Sequence, residues 1–229
     1  MDTLQLRVEH RPPEPRDEPS PTGFVHVENA WTQAYLLVPD EIDPDRRYPL
    51  ITVLHGAGRQ DDALAKAYRD EPERRQALFL IPRSTAMTWD LIASEQRPDL
   101  DFLEFAYDLV YRRYPIDPAR QGIIGYSDGA SYGLSYGLSN PGIFQAVMGW
   151  AAGFKVIDER ILDPAGPKPC VLLEYGTHDQ LFPFERVALP MRADLERRGY
   201  QVEFRVDEGG RHWPSSDFQR EALDWFFGL

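Results

Sequence analysis

The sequence predicts a doubly wound α/β fold in which a mostly parallel central sheet is flanked by helices. From Phe24 onward, short and nearly all-apolar segments alternate with longer amphipathic segments. Strands that are apolar along their whole length are typical of parallel sheets covered on both faces. Their alternation with helices indicates right-handed β-α-β crossovers. The 229 residues are enough for one such domain with a sizeable core.

Eight segments carry the strand pattern. The first two resemble an opening pair, and the other six are short and nearly all apolar, as expected for strands buried on both faces. The predicted strands are Phe24–Val27, Ala34–Val38, Leu50–Leu54, Leu78–Ile81, Gly122–Ile124, Ala146–Trp150, Val171–Tyr175 and Val202–Val206.

Helical spacing appears between these strands. Apolar residues recur at i, i+3 and i+4, and Pro115 is expected to stop the first such helix. Ser215 or Ser216 is expected to cap the last one. The predicted helices are Phe102–Val110, Ala130–Leu138, Val187–Arg198 and Phe218–Phe226.

The N-terminal 23 residues differ in composition from the rest of the chain. Five prolines lie among charged residues between Arg11 and Gly23. Proline has no amide donor and fixes φ, so such a segment crosses the surface in an extended form. We therefore expect an extended proline-rich segment over residues 1–23 and one folded domain over residues 24–229.

The composition excludes several classes of function. The net charge of −12 disfavours nucleic acid as a partner, because an acidic chain repels the phosphate backbone. No apolar run approaches the ~18 residues of a membrane span, and the N-terminus lacks the apolar core of a signal peptide. We therefore expect a cytoplasmic protein with no membrane partner. Cys170 is the only cysteine and no ligand set has metal-like spacing, so we expect no cofactor and no metal.

The strongest local motif is G-Y-S-D-G at Gly125–Gly129, between a predicted strand and a predicted helix. A serine at a sharp strand-to-helix turn needs small residues two positions before and after it, because larger side chains would clash with the adjacent elements. Such a turn lifts the hydroxyl above the sheet. Ser127 is therefore the candidate nucleophile.

The candidate base follows from the order of the chain. A serine nucleophile needs a base, and in this arrangement the order is serine, acid, histidine. Only His178 and His212 follow Ser127. His212 lies in the loop after the last predicted strand and is the better candidate, while His178 is the weaker one.

The candidate acid is Asp179. It follows the predicted strand that ends at Tyr175, which is where an orienting carboxylate is expected. Asp158 and Asp163 are the next candidates if Asp179 is not the acid.

An oxyanion hole requires two backbone amides directed at one point. The amide of Asp128, directly after the nucleophile, is one candidate. The segment H-G-A-G that follows the strand Leu50–Leu54 supplies the other, because its small residues allow close approach of the backbone. Ala57 is the first choice for this donor and Gly58 is the alternative.

The sequence resembles α/β-hydrolases of the carboxylesterase and phospholipase type, close to the acyl-thioesterase, feruloyl-esterase and polyhydroxybutyrate-depolymerase-like groups. The resemblance extends from about residue 33 to the C-terminus. The matching segments are Leu54–Gly58, Asp101–Leu103, Ile116–Arg120, Gly125–Gly129, Gly176–Glu185 and Gly209–Trp213.

The resemblance implies the α/β-hydrolase fold and serine hydrolysis through Ser127, Asp179 and His212. At Asp128 the sequence departs from many relatives, which carry an uncharged or small residue. The amide of Asp128 remains a donor, but we expect a carboxylate beside the oxyanion to lower activity or alter substrate choice.

We therefore expect a serine carboxylesterase that cleaves small-molecule esters of short or medium acyl chains through an acyl-enzyme intermediate. The alternatives are a thioesterase or lysophospholipase with the same triad, or a non-catalytic binding protein that retains the fold. The sequence leaves open whether the chain forms a homodimer.

Three aromatic residues are candidate walls of the substrate cleft, namely Trp89, Phe182 and Trp213. The segment Gly153–Pro169 has 17 residues with several prolines and charges. It is too short for a large cap domain and too polar for an apolar lid. We therefore expect an open cleft.

Overall fold

The computed structural model describes residues 5–14, 18–93, 97–157, 165–215 and 217–229. The chain forms two compact units: an N-terminal unit of Leu6–Gln121 and a C-terminal unit that comprises Gly122–Leu229. Residues 5–14 and 18–22 contain no helix or strand. The domain boundary at residue 24 stays a prediction.

The N-terminal unit contains four strands in the order β1-β2-β4-β3. The pairs β1–β2 and β2–β4 are antiparallel, and β3–β4 is parallel. Every residue of β3 and β4 is buried, which explains their continuous apolar sequence. The strands are β1 (Gly23–Glu28), β2 (Gln33–Val38), β3 (Tyr48–Leu54) and β4 (Leu78–Pro82).

Four helices belong to the same unit. The short helices α1 and α2 pack against β2 and β4, and α3 packs against α4. Helix α4 ends at Arg113, and Tyr114 is its extended C-cap directly before Pro115, as predicted. The helices are α1 (Asp61–Ala67), α2 (Glu71–Arg75), α3 (Asp90–Ala93) and α4 (Pro98–Arg113).

Strand β5 (Ile116–Tyr126) continues from Gln121 into the C-terminal unit, where the order is β5-β6-β7-β8 and every pair is parallel. The remaining strands are β6 (Ala146–Trp150), β7 (Cys170–Gly176) and β8 (Val202–Asp207). The helices of this unit are α5 (Asp128–Ser139), α6 (Ala188–Arg197) and α7 (Phe218–Phe227).

In the C-terminal unit, β6, β7 and the adjoining part of β5 are buried on both faces, whereas β8 contains no fully buried residue, contrary to the prediction. On one face Gly137 of α5 lies so close to Val147 and Ile123 that a Cβ would overlap their side chains. On the other face the Phe226 ring of α7 packs against Gly122. Successive strand residues point to opposite faces, so helices on both sides require apolar residues at every position.

All eight predicted strands are present, and the main difference is in β5, which begins at Ile116 and not at Gly122. The predicted cap of the last helix is wrong. Asp217 is the N-cap of α7 and makes no side-chain capping bond, while Ser215 contributes only its backbone oxygen to the Phe218 amide. Ser216 lies outside the described residues.

The segment between β6 and β7 is too short for a large cap domain, as predicted. Residues 158–164 of this segment, which include the alternative acids Asp158 and Asp163, lie outside the described residues. Among the described residues, no helix is long and apolar enough to cross a membrane.

Candidate active site

Ser127 lies at a strained turn between β5 and α5. Its φ of 53° and ψ of −116° are unusual for a residue with a side chain. A Cβ at Gly125 would overlap the backbone carbonyl of Gly129, which explains why position 125 is glycine. The Ser127 amide donates to the Trp150 carbonyl at 2.9 Å and thereby ties the turn to the end of β6. The local sequence thus forms the predicted turn.

His212 lies in the loop after β8, next to Ser127. Its Nε2 atom is 2.8 Å from Ser127 Oγ, although the two residues are 85 positions apart in the chain. The imidazole is largely buried, with 13% of its side chain exposed. The hydroxyl is therefore within hydrogen-bond reach of a ring nitrogen, as proton transfer to a base requires.

Asp179 completes a hydrogen-bonded chain of three side chains. Its Oδ2 is 2.8 Å from His212 Nδ1, and its Oδ1 accepts the amide hydrogens of Leu181 and Phe182 at 2.8 and 2.9 Å. The carboxylate is fully buried. Because the carboxylate can only accept a hydrogen bond, Nδ1 carries the ring proton. Nε2 is then the hydrogen-bond acceptor that faces Ser127.

The two loops that carry the acid and the base are joined by backbone bonds. The exposed His178 contributes its amide, which donates to the Gly210 carbonyl at 2.8 Å. The Thr177 amide donates to the Asp207 carbonyl at 3.0 Å. The structure thus places His212, and not His178, beside the serine.

Trp150 is a site residue that the sequence interpretation missed. It is fully buried at the end of β6, and its indole Nε1 donates to the His212 carbonyl at 2.7 Å. Its ring also packs against Phe218 at 5.5 Å. Its position at the carboxyl end of a predicted parallel strand is the one signal that could have identified it.

Phe182 and Trp213 lie next to the candidate base in space. The half-buried Phe182 ring is 5.3 Å from the His212 ring, and the Trp213 ring is 6.0 Å from it. Trp213 is 76% exposed. Both predicted substrate contacts therefore border the triad histidine.

Ala57 and Gly58 lie in the turn after β3, in the N-terminal unit. The Gly58 amide donates to the Met87 carbonyl at 2.7 Å, and Gly58 has a φ of 100°. The Ala57 amide donates to no described residue. Of the two predicted donors, the Gly58 amide is therefore already bonded within the protein, whereas the Ala57 amide is not bonded to any described residue.

His55 orients this turn. Its buried ring accepts the Ser84 amide hydrogen at Nε2 (3.0 Å), so Nδ1 carries the proton and donates to the Gly56 carbonyl at 2.6 Å. Burial lowers the pKa of His55, which favours this neutral form. In a trans peptide the C=O and N–H point in opposite directions. The bond to Gly56 therefore directs the Ala57 amide away from His55.

The prediction that Trp89 contacts substrate is not supported. Its side chain is only 1% exposed, its indole donates to the His55 carbonyl at 2.9 Å, and its ring stacks on the His55 ring at 4.7 Å. A side chain this buried offers no surface to a ligand. Trp89 instead stabilises the position of His55.

Buried carboxyl groups occur in both units. At the starts of α3 and α4, the Asp90 amide donates to the Asp99 carboxylate and the Asp99 amide donates to the Asp90 carboxylate. Burial beside the Asp99 carboxylate raises the pKa of Asp90 to about 6. In β7, burial raises the pKa of Glu174 to about 7.

Among the described residues, no group of three or more potential ligands is arranged to hold a metal ion.

The sequence matches no protein-family model and no curated protein. Its fold is similar to a thermostable esterase (TM-score 0.69, 22% identity), with 90% of this chain aligned to 63% of that one. This chain thus spans less than two thirds of that esterase.

Two further solved structures align over nearly their whole length. An S-formylglutathione hydrolase from Staphylococcus aureus has a TM-score of 0.66 at 15% identity, over 89% of this chain and 97% of that one. A ferulic acid esterase from Anaeromyces mucronatus, solved with ferulic acid, has a TM-score of 0.67 at 14% identity, over 95% and 93%. The expected fold is confirmed: this chain has the α/β-hydrolase fold.

Proposed function

We propose that this protein is a serine carboxylesterase that acts through Ser127, His212 and Asp179. The observation that carries the proposal is the continuous hydrogen-bonded chain from the Asp179 carboxylate through the His212 ring to Ser127 Oγ, with 2.8 Å at each step. A nucleophile, a base and an orienting acid in this geometry are what acyl transfer requires. The solved structures with a similar fold include esterases and an S-formylglutathione hydrolase, which supports the same class of reaction.

The reaction follows from the positions of the protons. Ser127 Oγ attacks the ester carbonyl while its proton passes to His212 Nε2. The tetrahedral intermediate then collapses: the bond to the alcohol oxygen breaks, and Nε2 returns the proton to that oxygen. Water attacks the resulting acyl-serine, gives its proton to Nε2, and Ser127 leaves with that proton. Asp179 stabilises the imidazolium in both halves of the reaction.

The amides of Ala57 and Asp128 are the proposed oxyanion donors. The turn that contains Ala57 is fixed by the His55 bond to the Gly56 carbonyl, which directs the Ala57 amide away from His55. The Asp128 amide is the first of α5, and the aligned peptide dipoles at a helix N-terminus favour negative charge there. Donors fixed before the reaction stabilise the developing charge without reorganisation.

Labelling with a fluorophosphonate tests the nucleophile. We expect one adduct on Ser127, located by mass spectrometry, and none in Ser127→Ala. A folded wild-type protein that takes no label would favour a binding protein over an enzyme.

A panel of p-nitrophenyl esters of increasing acyl length, alongside acyl-CoA thioesters, tests the substrate class. We expect the highest kcat/KM for esters with short or medium acyl chains. Each methylene adds at most about 0.8 kcal/mol of binding free energy, and only as long as the chain is in contact with apolar side chains of the cleft. A preference for thioesters would favour a thioesterase. A sharp rise in rate at the solubility limit, or a preference for chains of sixteen or more carbons, would favour a lipase or lysophospholipase.

A further inference from the structure

Three apolar side chains near Asp179 or His212 in the chain take no part in the proton transfers described above. Leu181 is 68% exposed, Trp213 is 76% exposed, and Phe182 is half-buried. Isolated exposed apolar residues are common on protein surfaces. These three, however, all lie within three residues of Asp179 or His212 in the chain.

Phe182 is fixed with respect to the nucleophile. Its ring packs against Gly153 so closely that a Cβ there would overlap it. The Gly153 amide donates to Ser131 Oγ at 2.9 Å, and the Ser131 amide donates to the Ser127 carbonyl at 3.0 Å. The ring is therefore connected to Ser127 through helix α5 as well as through Asp179.

The position of Trp213 is fixed by its neighbour in the chain, His212. It directly follows His212, whose carbonyl accepts the buried Trp150 indole hydrogen. Its ring is inclined at 65° to the imidazole, and most of its surface faces solvent. A large flat apolar surface is thus held within contact range of the group that moves the proton.

Because Phe182 and Trp213 lie near His212, the reaction geometry indicates which part of a bound ester they contact. His212 Nε2 must reach the oxygen of the departing alcohol to protonate it, whereas the acyl group stays on Ser127. Groups that border the imidazole therefore border the alcohol portion. Building on the proposed esterase function, we propose that Phe182 and Trp213 bind the alcohol portion and select esters of arylalkyl alcohols over those of small aliphatic alcohols.

The isomeric esters benzyl acetate and methyl phenylacetate test this proposal, because they carry the same ring on opposite sides of the ester. Methyl acetate is the reference. Benzyl alcohol and methanol are similarly acidic, so differences in kcat/KM report binding of the alcohol and not leaving-group chemistry. We expect wild type to prefer benzyl acetate over methyl acetate by about 10-fold or more.

Trp213→Ala and Phe182→Leu should lower the ratio of kcat/KM for benzyl acetate to that for methyl acetate by about 10-fold. The ratio for methyl phenylacetate to methyl acetate should change much less. Trp31→Ala is the matched control, since Trp31 is 75% exposed in the turn between β1 and β2, and it should change neither ratio.

The outcomes separate this proposal from the esterase function on which it rests. A larger loss on methyl phenylacetate would place the two residues on the acyl side, and an equal loss on all esters would indicate a structural role. Either result would overturn the proposal and leave the esterase function intact. No turnover of any ester together with no label on Ser127 would overturn both.

Discussion

Ser127, His212 and Asp179 are each held by backbone groups as well as by one another. The Ser127 amide donates to the Trp150 carbonyl, and the His212 carbonyl accepts from the Trp150 indole. The Asp179 Oδ1 atom accepts two amide hydrogens, one of them from Phe182. These bonds fix all three side chains before a substrate arrives, which reduces the reorganisation that the reaction must overcome.

Single substitutions of the nucleophile and the base test whether they act together. We expect Ser127→Ala and His212→Ala each to lower kcat by a factor on the order of 10⁴ or more, and the double variant to be little worse than either. The measurement is kcat on p-nitrophenyl acetate, with circular dichroism to verify folding. Additive losses in the double variant would show that the two residues work independently.

Asp179→Asn tests the orientation of the imidazole. The Leu181 and Phe182 amides require an oxygen at the Oδ1 position, so the asparagine NH₂ group would face His212 Nδ1. Nδ1 must then accept a hydrogen bond from this NH₂ group, so the ring proton moves to Nε2. With Nε2 protonated, the ring can no longer take a proton from Ser127. We expect kcat to fall by up to ~10⁴, the loss typical of a serine protease whose triad aspartate is replaced by asparagine. Retention of most activity would mean that the acid lies elsewhere.

At the scale of elements, the candidate active site is formed by the loops that follow parallel strands. Ser127 follows β5, Asp179 follows β7 and His212 follows β8. The carboxyl ends of parallel strands lie at one edge of a sheet, so residues far apart in the chain meet there. The end of β6 contributes Trp150, which joins the nucleophile turn to the histidine loop.

Trp150→Phe removes the indole donor while keeping an aromatic ring in the core. We expect kcat to fall by ~10- to 100-fold through displacement of His212, with a smaller change in KM. The lost hydrogen bond and volume should also lower Tm by several degrees. The half-buried Trp225 of α7 provides the matched control Trp225→Phe, which should leave kcat within about two-fold. Equal effects of the two substitutions on kcat would exclude a positioning role for Trp150.

At the scale of the whole molecule, an acidic chain has to accommodate several buried carboxylates. Asp61 is paired with Arg83, and Asp179 is bonded to His212 and two amides. Glu174 is the exception, since its buried Oε2 atom accepts a hydrogen bond from no described residue. Its surroundings hold one cation, Arg205, and two further acids, Glu221 and Asp207.

The pH dependence of stability follows from Glu174. Burial raises its pKa from 4.5 to about 7 in the folded state, so the folded protein favours the protonated form. The stabilisation that this provides is complete below pH ~4.5 and is lost as the pH rises through about 7. Glu174→Gln cannot ionise, so we expect it to raise Tm at pH 8 by roughly 2–4 °C and to have little effect at pH 4.5.

Thermal melts between pH 4.5 and pH 8 check this expectation. The control Glu28→Gln removes the same charge from an exposed position on β1 and should not alter the pH dependence of Tm. A Tm difference between Glu174→Gln and wild type that is the same at both pH values would contradict ionisation of Glu174 as its cause.

The sequence by itself determined the strands, the principal helices and the candidate triad residues. Apolar runs and helical spacing are local patterns, and burial on both faces of a sheet imposes them directly on the chain. The glycines around Ser127 reflect a local steric requirement, and the order serine, acid, histidine follows from the succession of strands. The short helices α1, α2 and α3 were missed because segments of four to seven residues show too little periodicity.

Only the tertiary structure decided which polar groups meet. It placed His212 rather than His178 beside Ser127, made Trp150 a donor to the histidine loop, and assigned the Gly58 amide to Met87. It also buried Trp89 against His55, where the sequence had indicated a substrate contact. Hydrogen bonds join groups that are 33 and 85 positions apart in the triad alone. Such pairings depend on the distances and angles between loops, which no local pattern of residues encodes.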